Sequence, residues 1–280
     1  MQPLLIIRAE RDRMSAIERR IADFILDNAQ LLRDYSSQQL ANALGISQSS
    51  VVKFSQKLGF KGYPDLKFSI GEAIARDGEP AEGAAGANGG EDHDALALGL
   101  WQAKSRAEEE TRLLNPPERL AALAAMVREA GKVFVVGIGE DSVTARAFAI
   151  RLSLLGFPAI HHFDPVLVPA EVSTARPEDV LLLFSERGEA AMLCQLARMF
   201  RARGGRVVTV TRHTGNALRA HADLALLVSA HDGARHVEPL LYQAALQQQL
   251  DLVFLLLCGD EARRRRLDDY QERVRSLLDG

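Results

Sequence analysis

The chain has 280 residues, 47% hydrophobic and 25% charged, with a net charge of −3. That length suits one large domain or two of ordinary size, and the balance excludes a wholly disordered chain. The charge is unevenly spread: residues 1–76 hold 11 Lys and Arg against 8 Asp and Glu, a net +3, which leaves −6 for the other 204 residues. A nucleic-acid surface is therefore expected at the N-terminal end.

The opening MQPLLIIRAERDR reaches Arg8 after a brief apolar stretch and carries no A-x-A-like cleavage pattern. LVFLLLC at 252–258 is too short to span a bilayer. Two cysteines, Cys194 and Cys258, lie in apolar helical patterns, which suits buried free thiols in a reducing cytosol. The expectation is a cytoplasmic protein with no membrane partner.

MSAIERRIADFILDNAQLL places Ile17, Ile21, Phe24, Ile25 and Leu31 near one stripe of an amphipathic helix. SSQQLANALGISQSSVVKFSQKLGFKGYPDLK follows. In it Leu40 and Leu44 sit one turn apart, Gly45 supplies a left-handed cap, and Ser47 can N-cap a second helix. Val51, Phe54 and Leu58 face inward on that second helix, and Gly59 stops it. Two short helices joined by a tight Gly turn make a helix-turn-helix.

The outward residues of the second helix are Gln48, Ser49, Ser50, Val52, Lys53, Gln56 and Lys57, none of them acidic. Gln can pair with adenine in the major groove, Ser can take a base or a phosphate, and Lys neutralises phosphate. An ordinary solvated face mixes both signs, so this one is read as DNA-binding. Ser47 at its start and Lys61 beyond its end join the DNA-binding set, and Lys67 extends the basic edge.

LGISQSSVVKFSQKLGF, with YPDLK after it, resembles the N-terminal helix-turn-helix of RpiR-type bacterial transcription regulators over residues 14–70, most of all their MurR branch. The resemblance implies a sugar-isomerase-like (SIS) remainder that senses a phosphosugar.

Residues 77–94, DGEPAEGAAGANGGEDHD, contain five glycines and six acids with no Lys or Arg, the composition of a flexible, self-repelling linker. The boundaries read from the chain are a helix-turn-helix domain at 1–76, the linker at 77–94 and an effector and dimerisation domain at 95–280. Beyond the linker, two helices precede KVFVVGIG, PAIHHF, DVLLLF, RVVTVT and ADLALLV, apolar runs without polar alternation and mostly separated by helices. They predict an α/β domain with a five-stranded parallel sheet flanked by helices, joined to the all-α N-terminal domain, and two further helices close the chain.

In such sheets ligands sit beyond the C-terminal strand ends, at the switch in strand order. The order resembles the SIS fold over 118–258, so the candidate effector residues are Gly137, Gly139, Asp141, Ser142, Ser185, Arg187, Gly188 and Glu238. The resemblance implies loops of the form G-x-G-x-S-G and S-x-S-G-x-T, whereas the chain reads GIGEDS and SERGEA. Two hydroxyls are lost and carboxylates gained. Each lost hydroxyl bond to a charged oxygen is worth about 1.5–3 kcal/mol. Two readings of the loop stay open: Arg187 turns inward as a bidentate anion clamp, or it pairs with a neighbouring Glu or Asp141 and the pocket no longer holds a phosphosugar.

The expected protein is a DNA-binding regulator, homodimeric or homotetrameric, of sugar or amino-sugar genes, with double-stranded operator DNA and a sugar phosphate or other small metabolite as partners. It has no catalytic residue, metal or cofactor. The alternative is a phosphosugar isomerase with an accessory helical domain, in which Glu238 and His221 or His236 would move the proton. RRRR at 263–266 is read as a solvated helix face with i,i+4 ion pairs.

Overall fold

A computed structural model describes residues 3–11, 14–29, 32, 35–77, 93–162, 167–231 and 234–278. The chain divides into two compact units, 1–102 and 103–280. Most of the expected linker, residues 78–92, lies outside the described residues, as does Leu31. The ends of the linker segment, Asp77 and His93–Asp94, are helical.

In the first unit, α1 (Pro3–Glu10), α2 (Ala16–Asp27), α3 (Ser37–Leu44), α4 (Gln48–Lys57) and α5 (Tyr63–Asp77) surround one core. Ile21 and Ile25 of α2, Leu40 of α3, Val51 and Phe54 of α4, and Leu66 and Ile70 of α5 are buried in it. Ser15 and Glu18 form a capping box at the start of α2, and Ser36 and Gln39 form one at the start of α3. Gly45 ends α3 at φ 60° in the left-handed region that a branched side chain avoids, and Gly59 at φ 89° closes α4. Ile17 is 47% exposed: it lies outside the buried stripe that its spacing suggested.

The described residues of the second unit include the C-terminal part of α6 (His93–Leu114), then α7 (Pro117–Glu129) and five parallel strands: β1 (Val133–Gly137), β2 (Ala159–Ile160), β3 (Val180–Phe184), β4 (Arg206–Arg212) and β5 (Leu224–Val228). Helices α8 (Glu140–Leu154), α9 (Val168–Val172) and α10 (Ala191–Ala202) connect them, and α11 (Glu238–Leu257) and α12 (Glu261–Leu278) follow. The strand order is β2-β1-β3-β4-β5. One face packs Phe134, Leu181, Leu183 and Val207 against Leu193, Leu196 and Phe200 of α10. On the other, Phe184 meets Phe148 of α8.

Helix α11 is long and apolar enough to cross a membrane, yet Leu241, Tyr242, Ala245, Leu246, Leu250, Val253 and Leu257 are buried in the unit, against neighbours that include α7, α8 and β5. It is read as a core helix. Of the arginine run, Arg265 makes the expected i,i+4 pair with Glu261, but Arg263 lies 3.7 Å over the Phe157 ring and donates to the Leu155 carbonyl at 3.0 Å. That arginine is a packing residue as well as a solvated one.

The free edge of β5 is covered by side chains. Asn115 donates to the Leu227 carbonyl at 2.7 Å and accepts the Leu227 N–H at 3.0 Å, and Thr111 Oγ1 accepts the Ser229 N–H at 2.9 Å. An exposed edge would otherwise offer unpaired backbone groups to another strand. Asn115→Ala is expected to lower stability by about 2–3 kcal/mol, because both Leu227 backbone groups are left buried and unpaired. Urea denaturation of the full chain followed by circular dichroism checks it, and a loss below about 0.5 kcal/mol would show that Asn115 does not pin the edge.

Candidate functional site

The N-terminal candidates gather on α4. Its Ser47 cap accepts the Ser50 N–H at 3.3 Å, and the Ser47 hydroxyl lies 2.9 Å from that of Ser49 and 2.8 Å from that of Ser50. Gln48 donates to the Ser37 hydroxyl on α3 at 2.9 Å, which fixes where its amide points. Lys53, Gln56 and Lys61 are exposed, while the Lys61 backbone N–H bonds Asp65 at 2.8 Å.

Lys57 departs from the sequence reading. Its ammonium is paired with both carboxylate oxygens of Glu18, at 2.8 and 2.9 Å. The α4 helix itself has no acid, but α2 brings one to its C-terminal end, and Lys57 in turn pulls the Glu18 pKa down. Lys67 points to the Tyr35 carbonyl at 3.1 Å, so it is partly engaged in holding the unit together.

In the second unit the site grows out of the sheet topology. Gly137 and Phe184 are register partners at the ends of β1 and β3. The chain then leaves β1 for β2 on one side and β3 for β4 on the other, which opens a crevice between the two loops. Gly137 must be glycine, since a Cβ there would meet the Asp141 carbonyl oxygen at 2.4 Å. Gly139 turns the chain into α8 at φ 65°.

Asp141, on the first turn of α8, is 9% exposed and accepts the Glu186 N–H at 2.8 Å through Oδ2. Its other oxygen, Oδ1, is buried without a hydrogen-bond partner among the described residues. Burial is the main cause that pushes its carboxyl up to about 6; the charges of Glu186 and Glu140 add to the rise and the Glu186 N–H opposes it. Ser142 spends its hydroxyl hydrogen on the Gly139 carbonyl at 2.6 Å.

In the second loop the Ser185 hydroxyl accepts the Gly188 N–H at 3.2 Å, and Gly188, at φ 64°, packs so closely on Asn216 that a Cβ would lie 2.2 Å from its Oδ1. Arg187 is exposed and makes no ion pair among the described residues, with Asp141 or with a neighbouring Glu. An arginine turned toward the loop is Arg212, from the end of β4. It pairs with Glu186, donates to Glu238 at 2.9 Å, and donates its backbone N–H to the Glu186 carbonyl at 2.8 Å. Glu238 is held by Arg212, with His231 at 3.7 Å, and no ion pair among the described residues joins it to His221 or His236. The buried Tyr242 hydroxyl, one turn along α11, also lacks a partner among the described residues. Its pKa is raised by burial, and the charges of Asp141 and Glu186 raise it further.

A buried polar atom without a partner costs about 1–3 kcal/mol. Asp141 Oδ1 at the crevice is one such atom, and beside it one arginine is held between two acids. The sequence offered little signal for either residue it missed: Tyr242 sits in an apolar helix that reads as core, and Arg212 closes an apolar strand.

Residues 1–77 match the helix-turn-helix domain of the rpiR family, and residues 126–256 match the SIS domain. An uncharacterized HTH-type transcriptional regulator of Escherichia coli (strain K12), YfhH, is 34% identical over 266 residues, covering 90% of this chain and 94% of the relative. The chain belongs to the RpiR family of transcription regulators. An uncharacterized HTH-type regulator of Caldanaerobacter subterraneus subsp. tengcongensis is 23% identical over 91% of this chain and 89% of its own.

Among solved structures, the Vibrio vulnificus NanR protein complexed with ManNAc-6P aligns over 98% of both chains with a TM-score of 0.61 at 21% identity. The sugar isomerase domain of an RpiR transcription factor from Sphaerobacter thermophilus aligns over 65% of this chain and 98% of that one, with a TM-score of 0.56 at 16% identity. At those identities the likeness establishes the fold. The expected architecture holds for this RpiR protein: a helical helix-turn-helix region and a five-stranded parallel SIS domain flanked by helices.

The elevated Asp141 pKa has a signed consequence for stability. A carboxyl with a folded value near 6 and an ordinary value of 3.8 favours the folded state below about pH 4, and that stability is lost as pH rises through 6. Asp141→Asn is therefore expected to stabilise the fold at pH 7.5 by up to about 3 kcal/mol, with the gain gone near pH 4. Urea denaturation of both chains across pH 4–8 measures it; a gain independent of pH would contradict the assignment.

Proposed function

We propose that this RpiR regulator binds a double-stranded operator in a sequence-specific manner through α4, and that its SIS domain joins the chains into a dimer or tetramer and answers to a small metabolite of sugar or amino-sugar metabolism. The observation that carries the DNA reading is the acid-free exposed face of α4, with Gln48, Ser49, Lys53 and Gln56 ahead of Lys61. One helix-turn-helix reads too few base pairs for specificity, so two half-sites joined by an oligomer are the economical arrangement. Such a protein acts in the cytoplasm, where its operator is.

The NanR complex with ManNAc-6P supports a carbohydrate derivative as the class of effector. A sensor is favoured over an isomerase because Glu238, the carboxylate an isomerase would need beside the carbonyl, is held by Arg212 at 2.9 Å. On this reading Ser47, Ser50, Lys57 and the other α4 residues form the operator face. Gly137, Gly139, Asp141, Ser142, Ser185, Arg187, Gly188 and Glu238 surround the effector crevice. No metal or cofactor takes part.

Lys53→Glu is expected to weaken duplex DNA retention at least about tenfold and to flatten its dependence on salt, with the melting temperature unchanged. Fluorescence anisotropy with labelled duplex at several salt concentrations checks it. Retention that survives the substitution would remove α4 as the reading element.

A further inference from the structure

At the joint of α3 and α4 most small polar side chains are spent within their own helix. Ser36 and Gln39 close the capping box of α3, Gln38 donates to Asn42 at 2.9 Å, and the Ser47 hydroxyl is shared with Ser49 and Ser50 at 2.9 and 2.8 Å. One bond of this group crosses from helix to helix: Gln48 Nε2 donates to Ser37 Oγ at 2.9 Å. Ser37 is the first residue of α3 and Gln48 the first of α4.

That contact leaves a defined set of groups open. A side-chain amide has two N–H donors and a carbonyl acceptor, and a hydroxyl has one donor and an accepting oxygen. The second Gln48 N–H, Gln48 Oε1 and the Ser37 O–H have no partner among the described residues. Gln48 is exposed and Ser37 half-buried.

The direction of the bond decides what Gln48 can read. With Nε2 turned to Ser37, the amide shows an acceptor and a donor side by side, which match the N6 amino group and N7 of adenine. Turned about, it would show two donors, which match O6 and N7 of guanine. The hydroxyl alone is indifferent, because it accepts from Nε2 as readily as it donates to Oε1. A phosphate removes that indifference. The first helix of a helix-turn-helix crosses the DNA backbone, and an ionised phosphate oxygen only accepts. The Ser37 O–H then goes to the phosphate, and its oxygen is left to receive the Gln48 N–H.

We infer that Ser37 is a positioning residue for base readout: it relays a backbone phosphate contact to the Gln48 amide and so makes Gln48 a reader of adenine that rejects guanine. The inference rests on the reading of α4 as the operator face. Ser37 itself touches no base. Ser36, not Ser37, caps α3, so Ser37→Ala leaves the start of the helix intact.

The test selects bound duplexes from a random-sequence library with the full chain, then measures fluorescence anisotropy on the enriched site and on copies with single A·T to G·C changes. The parent is expected to show one position where adenine is preferred over guanine at least about tenfold, and Gln48→Ala to abolish that preference. Ser37→Ala is expected to cut it below about threefold while the melting temperature and the preferences at other positions stay as in the parent. Ser37→Thr, which restores the hydroxyl, is expected to recover it. Methylphosphonate placed at each backbone position in turn is expected to find one phosphate whose neutralisation lowers the same preference in the parent and leaves Ser37→Ala unaffected.

An adenine preference that persists in Ser37→Ala would overturn the relay. So would enriched sites that Gln48→Ala leaves unchanged, a Gln48-dependent preference for another base, or a scan with no sensitive phosphate. Each of these leaves α4 as the operator face, provided that Lys53→Glu still releases the duplex. A library from which the parent enriches no sequence removes both the relay and the operator reading.

Discussion

Gly137 and Phe184 are neighbours across the sheet, and the chain must leave them in opposite directions. That constraint sets the rest of the second unit. The β1 and β3 loops cannot close over each other, so helices α8 and α10 begin on either side of a crevice, with their first backbone N–H groups toward it. Gly137, whose missing Cβ lets α8 start against the strand end, is what brings Asp141 within reach of the Glu186 N–H. From there the chemistry is local: a carboxylate takes a donor that the fold would otherwise offer to a bound anion.

Charge is the second theme. A loop with two added glutamates looks hostile to its own fold until β4 delivers Arg212. The pairs it makes with Glu186 and Glu238 are partly buried, so water screens them less than a surface pair, and they join the β3 loop, the end of β4 and the start of α11 in one network. The network also accounts for why Glu186 is tolerated there. It does not cancel the sign of the site, because three acids face one base.

Much of this was legible in the chain. Gly45, Ser47 and Gly59 marked the helix-turn-helix to within a residue, because caps and left-handed glycines are local requirements. The five apolar runs announced the parallel sheet, since strands buried on both faces have no polar alternation. Helices α1 and α5 escaped notice: one is short, and the second follows a turn at Gly62 with only a moderate apolar stripe. Helix α9, of five residues, is too short for any period to show. The site's electrostatics were out of reach for a different reason. Glu186, Arg212 and Glu238 stand 26 residues apart from one to the next, and only the pairing of β3 with β4 and the placement of the start of α11 bring them together. Arg187 was the visible arginine of the loop, and it faces solvent.

The Lys57 to Glu18 pair reaches beyond packing. Mobile cations condensed on a duplex are set free when protein cations replace them, and that release makes binding steep in salt. Lys57 arrives with a tethered anion of its own, held through a carboxylate that also caps α2. When a phosphate takes the ammonium, Glu18 gives up a partner, and the exchange swaps one fixed anion for another. On the proposed operator face, contact at this end of the helix would add geometry and register to the complex while contributing little to its ionic-strength dependence. On that proposal the helix would carry its own buffer against salt, placed at the turn farthest from its serine cap.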